Sequence, residues 1–134
     1  MKTNIAAAVV LVFLFGGLAG CASAPHLKPG YEPPGEVADR YQDALRWQDY
    51  ELARGFIIPE AYPEFDAFIT AKSGKLNIIE YSVWDVGLSE DGYLARVTVK
   101  RSYYLSPSVN PGQEELLQTW KLVNGKWYLT GPPF

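Results

Sequence analysis

Between residues 36 and 56 the hydrophobic positions recur with helical spacing. Val37, Tyr41, Ala44, Leu45, Gln48, Leu52 and Phe56 stand three, four or seven apart. At about 100° per residue they fall on one side of a helix. Gly35 is the expected N-cap, and Glu36 and Asp39 suit the positive end of the helix dipole. Trp47 and Tyr50 lie off the stripe and need a second surface or solvent; Gly55 and Pro59 bound the element. Pro63 fits the first turn of a second, shorter helix. Its face is Phe65, Phe68, Ile69 and Lys72, Asp66 points elsewhere, and Gly74 ends it.

From Leu76 the period changes to two. The first strand, 76–86, has Ile78 and Trp84 on one face and Ile79, Tyr81 and Val83 on the other, the pattern of a strand covered on both sides. Residues 89–92, Ser-Glu-Asp-Gly, form a turn. Strand 93–105 alternates, with Tyr93, Ala95, Val97 and Val99 opposed to Leu94, Arg96, Thr98 and Lys100. A loop with Pro107 and Pro111 leads to strand 114–123, whose inward residues are Leu116, Trp120 and Leu122. Asn124-Gly125 is a strong hairpin signal, a two-residue type I′ turn. Strand 126–130 returns with Trp127 and Leu129, and Gly131-Pro132-Pro133 stops it.

The expected fold is therefore α+β: one long and one short N-terminal helix packed on a four-stranded antiparallel sheet. Tyr41 through Arg54 as a long first helix, together with the ending Trp120 through Leu129 (strand, tight turn, strand), resembles the NTF2-like (cystatin-like) superfamily. That resemblance covers residues 36–134 and implies a curved, cone-shaped sheet. It also implies dimer contact through the open sheet face, where Arg96, Lys100 and Arg101 would place charge. About one hundred residues suffice for one core and not for two.

The N-terminus has a different pattern. Lys2 precedes an apolar run from Ile5 to Phe15, and small residues lead to Cys21, the layout of a secretory leader over residues 1–20. Leu18-Ala19-Gly20-Cys21 resembles the lipobox of bacterial lipoproteins. The resemblance implies cleavage before Cys21, a palmitate-type acyl anchor on that residue, and, with Ala22 following, an outer-membrane address facing the periplasm. Burial of each methylene contributes about 0.8 kcal/mol, and two or more chains anchor stably. Residues 21–35 carry the lipidated cysteine and a spacer whose four prolines and two glycines forbid helix and ladder pairing. Cys21 is the sole cysteine, so the domain must be stable by core burial without a disulfide.

Removal of residues 1–20 takes Lys2 and no acidic residue. Eleven basic side chains then face 15 acidic ones, a formal charge of −4. Nucleic-acid binding needs clustered cations, and electrostatic docking on anionic lipid needs a basic patch; both are disfavoured. The membrane contact expected here is covalent lipid.

Catalytic signatures are sparse. The sole histidine, His26, lies in the spacer, which cannot hold an imidazole within reach of a substrate. That removes Ser-His-Asp and Cys-His arrangements and multi-histidine metal sites; no cofactor or metal is expected. The His-Asp pair common in NTF2-like enzymes is absent from the domain. Trp84, Trp120, Trp127 and Tyr103 are the candidate cone-lining aromatics. Glu80 and Asp85, on opposite faces of the first strand, are the candidate carboxylates: either strand-edge or solvent-facing groups that can pair with Arg96 or Arg101, or, with a tyrosine, a base abstracting a proton beside a carbonyl. The leading expectation is an envelope lipoprotein whose domain is not an enzyme and binds a protein partner or a small apolar ligand. The alternatives are a small isomerase-like enzyme and a purely structural envelope protein.

Overall fold

The computed structural model describes Leu27 and residues 30–134; the leader, Cys21 and His26 lie outside the described residues. Helices α1 (Pro34–Arg46), α2 (Tyr50–Arg54) and α3 (Tyr62–Lys72) precede strands β1 (Leu76–Leu88), β2 (Leu94–Leu105), β3 (Gly112–Val123) and β4 (Lys126–Leu129). The strands form one unclosed antiparallel sheet in sequential order. The helices cover one face of it, so the fold is α+β. No helix among the described residues is long and apolar enough to cross a membrane.

The long first helix expected from the spacing is two helices. It starts at Pro34, with Pro33 rather than Gly35 as N-cap, because proline suits a first turn whose N–H groups have no helical partner. After Arg46 the chain turns back in a Schellman motif. Gln48 N–H donates to Leu45 O (3.0 Å), Asp49 N–H donates to Ala44 O (2.9 Å), and Gln48 takes a left-handed φ of 58°. Asp49 then caps α2, its carboxylate accepting from Leu52 N–H at 3.0 Å. The break turns Leu52, expected on the buried stripe, out to 54% exposure. Trp47, off the stripe as expected, is 74% exposed. Of the stripe, Val37, Tyr41, Ala44 and Leu45 are buried and pack with Ala38 under α1 against the sheet, Phe56 is half-buried, and Gln48 is exposed.

The domain also takes in the end of the expected spacer. Leu27 packs on the core, Trp127 Nε1 donates to Glu32 O at 2.8 Å, and Arg40 pairs with Glu32 through both guanidinium nitrogens.

Strand β1 departs from strict alternation. Its register against β2 skips at Ile79 and again at Trp84, two bulges that each add a residue and flip the faces. The inward set is therefore Leu76, Ile78, Tyr81, Val83, Val86 and Leu88, opposite Leu105, Tyr103, Arg101, Val99, Val97 and Ala95. β1 is an edge strand of the sheet, not the doubly covered one its apolar residues suggested. The other edge is partly closed by the loop before α3, where Ile58 N–H donates to Leu129 O (3.0 Å) and Leu129 N–H to Phe56 O (2.8 Å). Asn124 and Gly125 both take positive φ, 50° and 81°, as a type I′ hairpin requires.

Gln48 holds a backbone conformation that costs an L-residue about 1–2 kcal/mol and glycine almost nothing. Its side chain makes only a long 3.4 Å bond to Asn77. Gln48→Gly should therefore stabilise the domain by about 0.5–1 kcal/mol. A lower urea midpoint for the variant would contradict the Schellman turn.

Candidate functional site

Inward positions of β2 run Ala95, Val97, Val99 and then Arg101, so the two-residue period carries a cation into the core. Arg101 is 6% exposed. Its guanidinium is held on three sides: Nε donates to Glu114 Oε1 (2.5 Å), Nη1 to Gln42 Oε1 (3.2 Å) and Nη2 to the main-chain oxygen of Phe134 (3.0 Å). One side chain thus ties together α1, β2, β3 and the segment after β4. The planar five-donor fork suits this; a lysine ammonium would not reproduce it.

Polar groups surround this centre. Gln118 is fully buried and donates from Nε2 to Pro133 O at 3.2 Å. Tyr41 lies under α1 with its ring edge-on to Trp120, centroids 5.8 Å apart. Burial pushes the Tyr41 phenol far above its ordinary range, against a smaller opposing effect of Arg101, so it stays protonated and does not serve as a base. Among the described residues, Tyr41 Oη, Gln42 Nε2, Gln118 Oε1 and Trp120 Nε1 are buried with no hydrogen-bond partner. Such groups are uncommon in a packed core, where each costs about 1–3 kcal/mol.

Beside Arg101 a cavity of about 400 Å³ opens between α3, the sheet and the segment 132–134. Phe68, Leu76, Tyr103, Leu116 and Phe134 give it apolar walls. Glu64, Lys72, Arg101 and Glu114 supply its charges, two of each sign. Tyr103 lies across the start of β3, where a Cβ on Gly112 would meet its ring at 3.1 Å; only glycine there leaves the ring its place. Phe134 seats its ring on Phe65 and Phe68, with centroids at 5.2 and 5.5 Å.

The residues expected to line such a cavity divide sharply. Tyr103 does line it. Trp120 and Trp127 are buried but structural, the first under Tyr41 and the second bonded to Glu32. Trp84 does not fill the interior: the bulge at its position turns it onto the uncovered sheet face, 66% exposed, with Lys100 Nζ 3.5 Å from its ring centroid. Glu80 and Asp85 do not line the cavity either, nor do they face opposite ways. The bulges put them opposite Ser102 and Thr98, both on the uncovered face and both exposed. Glu80 borders a broad depression there, about 650 Å³, with Ser82, Lys100, Ser102, Gln113 and Glu115. Arg101, expected among the cations of that face, points the other way and pairs with Glu114. Cys21 lies outside the described residues.

Arg101, Glu114, Gln42, Phe68 and Phe134 were not legible as site residues from the sequence. For Arg101 a signal existed, since extending the Ala95-Val97-Val99 alternation by one step reaches it. Nothing local marks Phe134, whose burial depends on how the chain leaves β4. Among the described residues no three His, Cys, Asp or Glu side chains converge as metal ligands would. Comparison of the chain with protein-family models, with curated proteins and with solved structures finds no match.

Arg101→Met would leave Gln42 Oε1, Phe134 O and the Glu114 carboxylate without their donor. Removing one partner of a buried pair is strongly destabilising; with the Glu114 side chain still 31% exposed, the expected loss is about 2–4 kcal/mol. Arg101→Met with Glu114→Leu should recover part of it. Urea unfolding checks both, and an unchanged midpoint for the single variant would show that the network contributes nothing.

Proposed function

We propose that this chain is a lipid-anchored envelope protein whose NTF2-like domain, without catalysing a reaction, binds a small, largely apolar ligand in the cavity beside Arg101. The observation that carries the reading is that cavity: about 400 Å³, walled by Phe68, Leu76, Tyr103, Leu116 and Phe134, with a few fixed polar groups at one side. Pockets of about 300–1,000 Å³ with apolar walls and few convergent polar groups are the usual form of a small-molecule site. Helices before a sequentially ordered antiparallel sheet support the NTF2-like assignment, although the first helix is broken. The isomerase alternative loses its support, because Glu80 and Asp85 stand outside the cavity on the exposed face.

The cavity and the entry of the chain lie at opposite ends of the sheet. Glu32 is bonded to Trp127 and Gly35 lies against Val83 and Val86, so the chain enters the domain at the β3–β4 hairpin end of the sheet. The cavity sits at the other end, where Leu76 begins β1 and Tyr103 nears the end of β2. Eight residues of β2 separate Ala95 from Tyr103, roughly 26 Å at about 3.3 Å each. On this reading the cavity lies at the end of the domain opposite the entry of the lipid-bearing segment.

A second reading, a protein partner, draws on the uncovered sheet face. Trp84, Leu94 and Leu117 are exposed there among Arg96, Lys100 and Glu115. Large exposed apolar groups rimmed by charge mark interaction surfaces.

Two experiments test the parts separately. Mass spectrometry of the mature wild-type protein should find Cys21 as the first residue carrying acyl chains, and an unmodified Cys21 or an intact leader would remove the lipid anchor. In the Cys21→Ser chain, Leu116→Trp should fill the cavity and abolish binding of the uncharged fluorescent probe prodan, with the urea midpoint kept near the parent value. Equal probe binding by both proteins would remove the cavity as the site.

A further inference from the structure

The uncovered face of the sheet carries a depression that its own side-chain sizes explain. Two rows of outward residues cross β1, β2 and β3: Glu80, Ser102 and Gln113 in one, Ser82, Lys100 and Glu115 in the next. Between the rows Tyr81, Arg101 and Glu114 turn their side chains to the covered face and fill nothing here. Ser82 and Ser102 are short, so they form a floor, and the four longer side chains rim a space of about 650 Å³. One row further on, past Lys100, the bulge at Trp84 turns its indole onto the same face. Lys100 Nζ lies 3.5 Å from the ring centroid, and with that contact in place Trp84 is still 66% exposed. Ring surface is therefore left over beside a polar hollow. From Ser102 to Thr98, the β2 residue paired with Asp85, four residues span roughly 13 Å.

The rim can both give and take hydrogen bonds. Glu80 and Glu115 accept, Lys100 donates, and Gln113 and the serine hydroxyls do both. Lys100 and Glu115 approach only to 3.9 Å, so neither head group is used up by the other. At the floor, Ser102 Oγ is shielded and has no hydrogen-bond partner among the described residues. Such a group is uncommon, and a hydroxyl-bearing ligand seated on the floor would answer it. Two carboxylates oppose an anion, and the ammonium of Lys100 already stands over the indole where a cation would go. A protein partner fits the centre of this face poorly, because interface cores are depleted of charge. The ligand that fits has one flat apolar side and donors and acceptors around its edge. A pyranose ring has that form, with a C–H face to lay on an aromatic ring and hydroxyls that both donate and accept.

We propose that this face binds a neutral glycan, one sugar ring stacked on Trp84 and the next seated over Ser82 and Ser102. The rim of Glu80, Lys100, Gln113 and Glu115 takes its hydroxyls. The site lies on the side of the sheet opposite the cavity beside Arg101 and does not depend on it.

The test uses the full chain carrying Cys21→Ser and three neutral trisaccharides: cellotriose, maltotriose and triacetylchitotriose. Calorimetry should detect binding of at least one, and the Trp84 indole N–H should shift in the NMR spectrum on the same titration. Trp84→Leu, which keeps apolar bulk without a ring, should bind that glycan at least about tenfold more weakly. Trp47→Leu, which alters the other highly exposed tryptophan, should bind as the parent does. Ser102→Val should weaken binding by about threefold without lowering the urea midpoint, since the hydroxyl it removes has no partner. Unchanged affinity in that variant would overturn the seat on the serine floor. A sulfated disaccharide should bind more weakly than the neutral glycan, and tighter binding would overturn the neutral class. Equal glycan binding by the parent and Trp84→Leu would overturn the stacking platform. Binding lost in Leu116→Trp but kept in Trp84→Leu would move the glycan to the cavity, overturning this site and supporting the other. No heat and no indole shift with any of the three would overturn the proposal, whatever prodan does at the cavity. Self-association that Trp84→Leu abolishes would, in that case, assign the face to a protein surface.

Discussion

A guanidinium placed inside an apolar core must be satisfied on every side, and the arrangement around Arg101 follows from that requirement. An unpaired buried charge costs several kcal/mol, so Glu114, Gln42 and Phe134 O converge on it. Each comes from a different part of the chain. The position of α1 on the sheet, the pairing of β2 with β3 and the path of the chain after β4 are all coupled through one side chain. Apolar packing under α1 could be met by several helix placements; the hydrogen-bond geometry of Arg101 selects one.

The same requirement explains why polarity collects on one side of the core. Tyr41, Gln42 and Gln118 are fully buried, and several of their polar atoms have no partner. At the hairpin end Trp120 and Trp127 are buried and Glu32 is bonded to Trp127, with a smaller recess of about 220 Å³ between Glu32, Arg40, Phe56 and Trp127. At the opposite end the walls part into a cavity. The larger opening on the covered face and the entry of the chain thus lie at opposite ends of the sheet. The uncovered face is different in character, a mixed field of Lys100, Glu115, Trp84 and Leu117 beside a broad depression of about 650 Å³.

Much of the architecture could be read from local chemistry. Alternation grouped Tyr93, Ala95, Val97 and Val99 on one face and turned Leu116, Trp120 and Leu122 inward; all are buried except Tyr93, at the strand's start. Asn124-Gly125 set its hairpin because few other dipeptides accept two positive φ values. The break in the first helix was concealed because Gln48 stands in a position that usually announces itself as glycine; Asp49, a good N-cap, was the one available hint. The faces of β1 were misread because a bulge has no fixed sequence mark, and each one inverts every side chain beyond it. Trp84 was set in the interior, and Glu80 and Asp85 on opposite faces, for that single reason; both carboxylates are solvent-facing on an edge strand, as their first reading had it.

The sequence by itself determined which residues are apolar and at what period, and therefore the order of helices and strands, the class of fold and the position of the last hairpin. It also carries the leader-like N-terminus and the lone Cys21, from whose local order the proposed anchor is inferred. Only the tertiary structure decided what joins whom. Arg101 meets Gln42 across 59 positions and Phe134 across 33, and the cavity exists because α3, β2, β3 and residues 132–134 come together at one end of the sheet. Contacts between distant parts of a chain depend on register, bulges and the angle at which elements pack, and these are fixed by the balance of the whole core rather than by any window of residues within it.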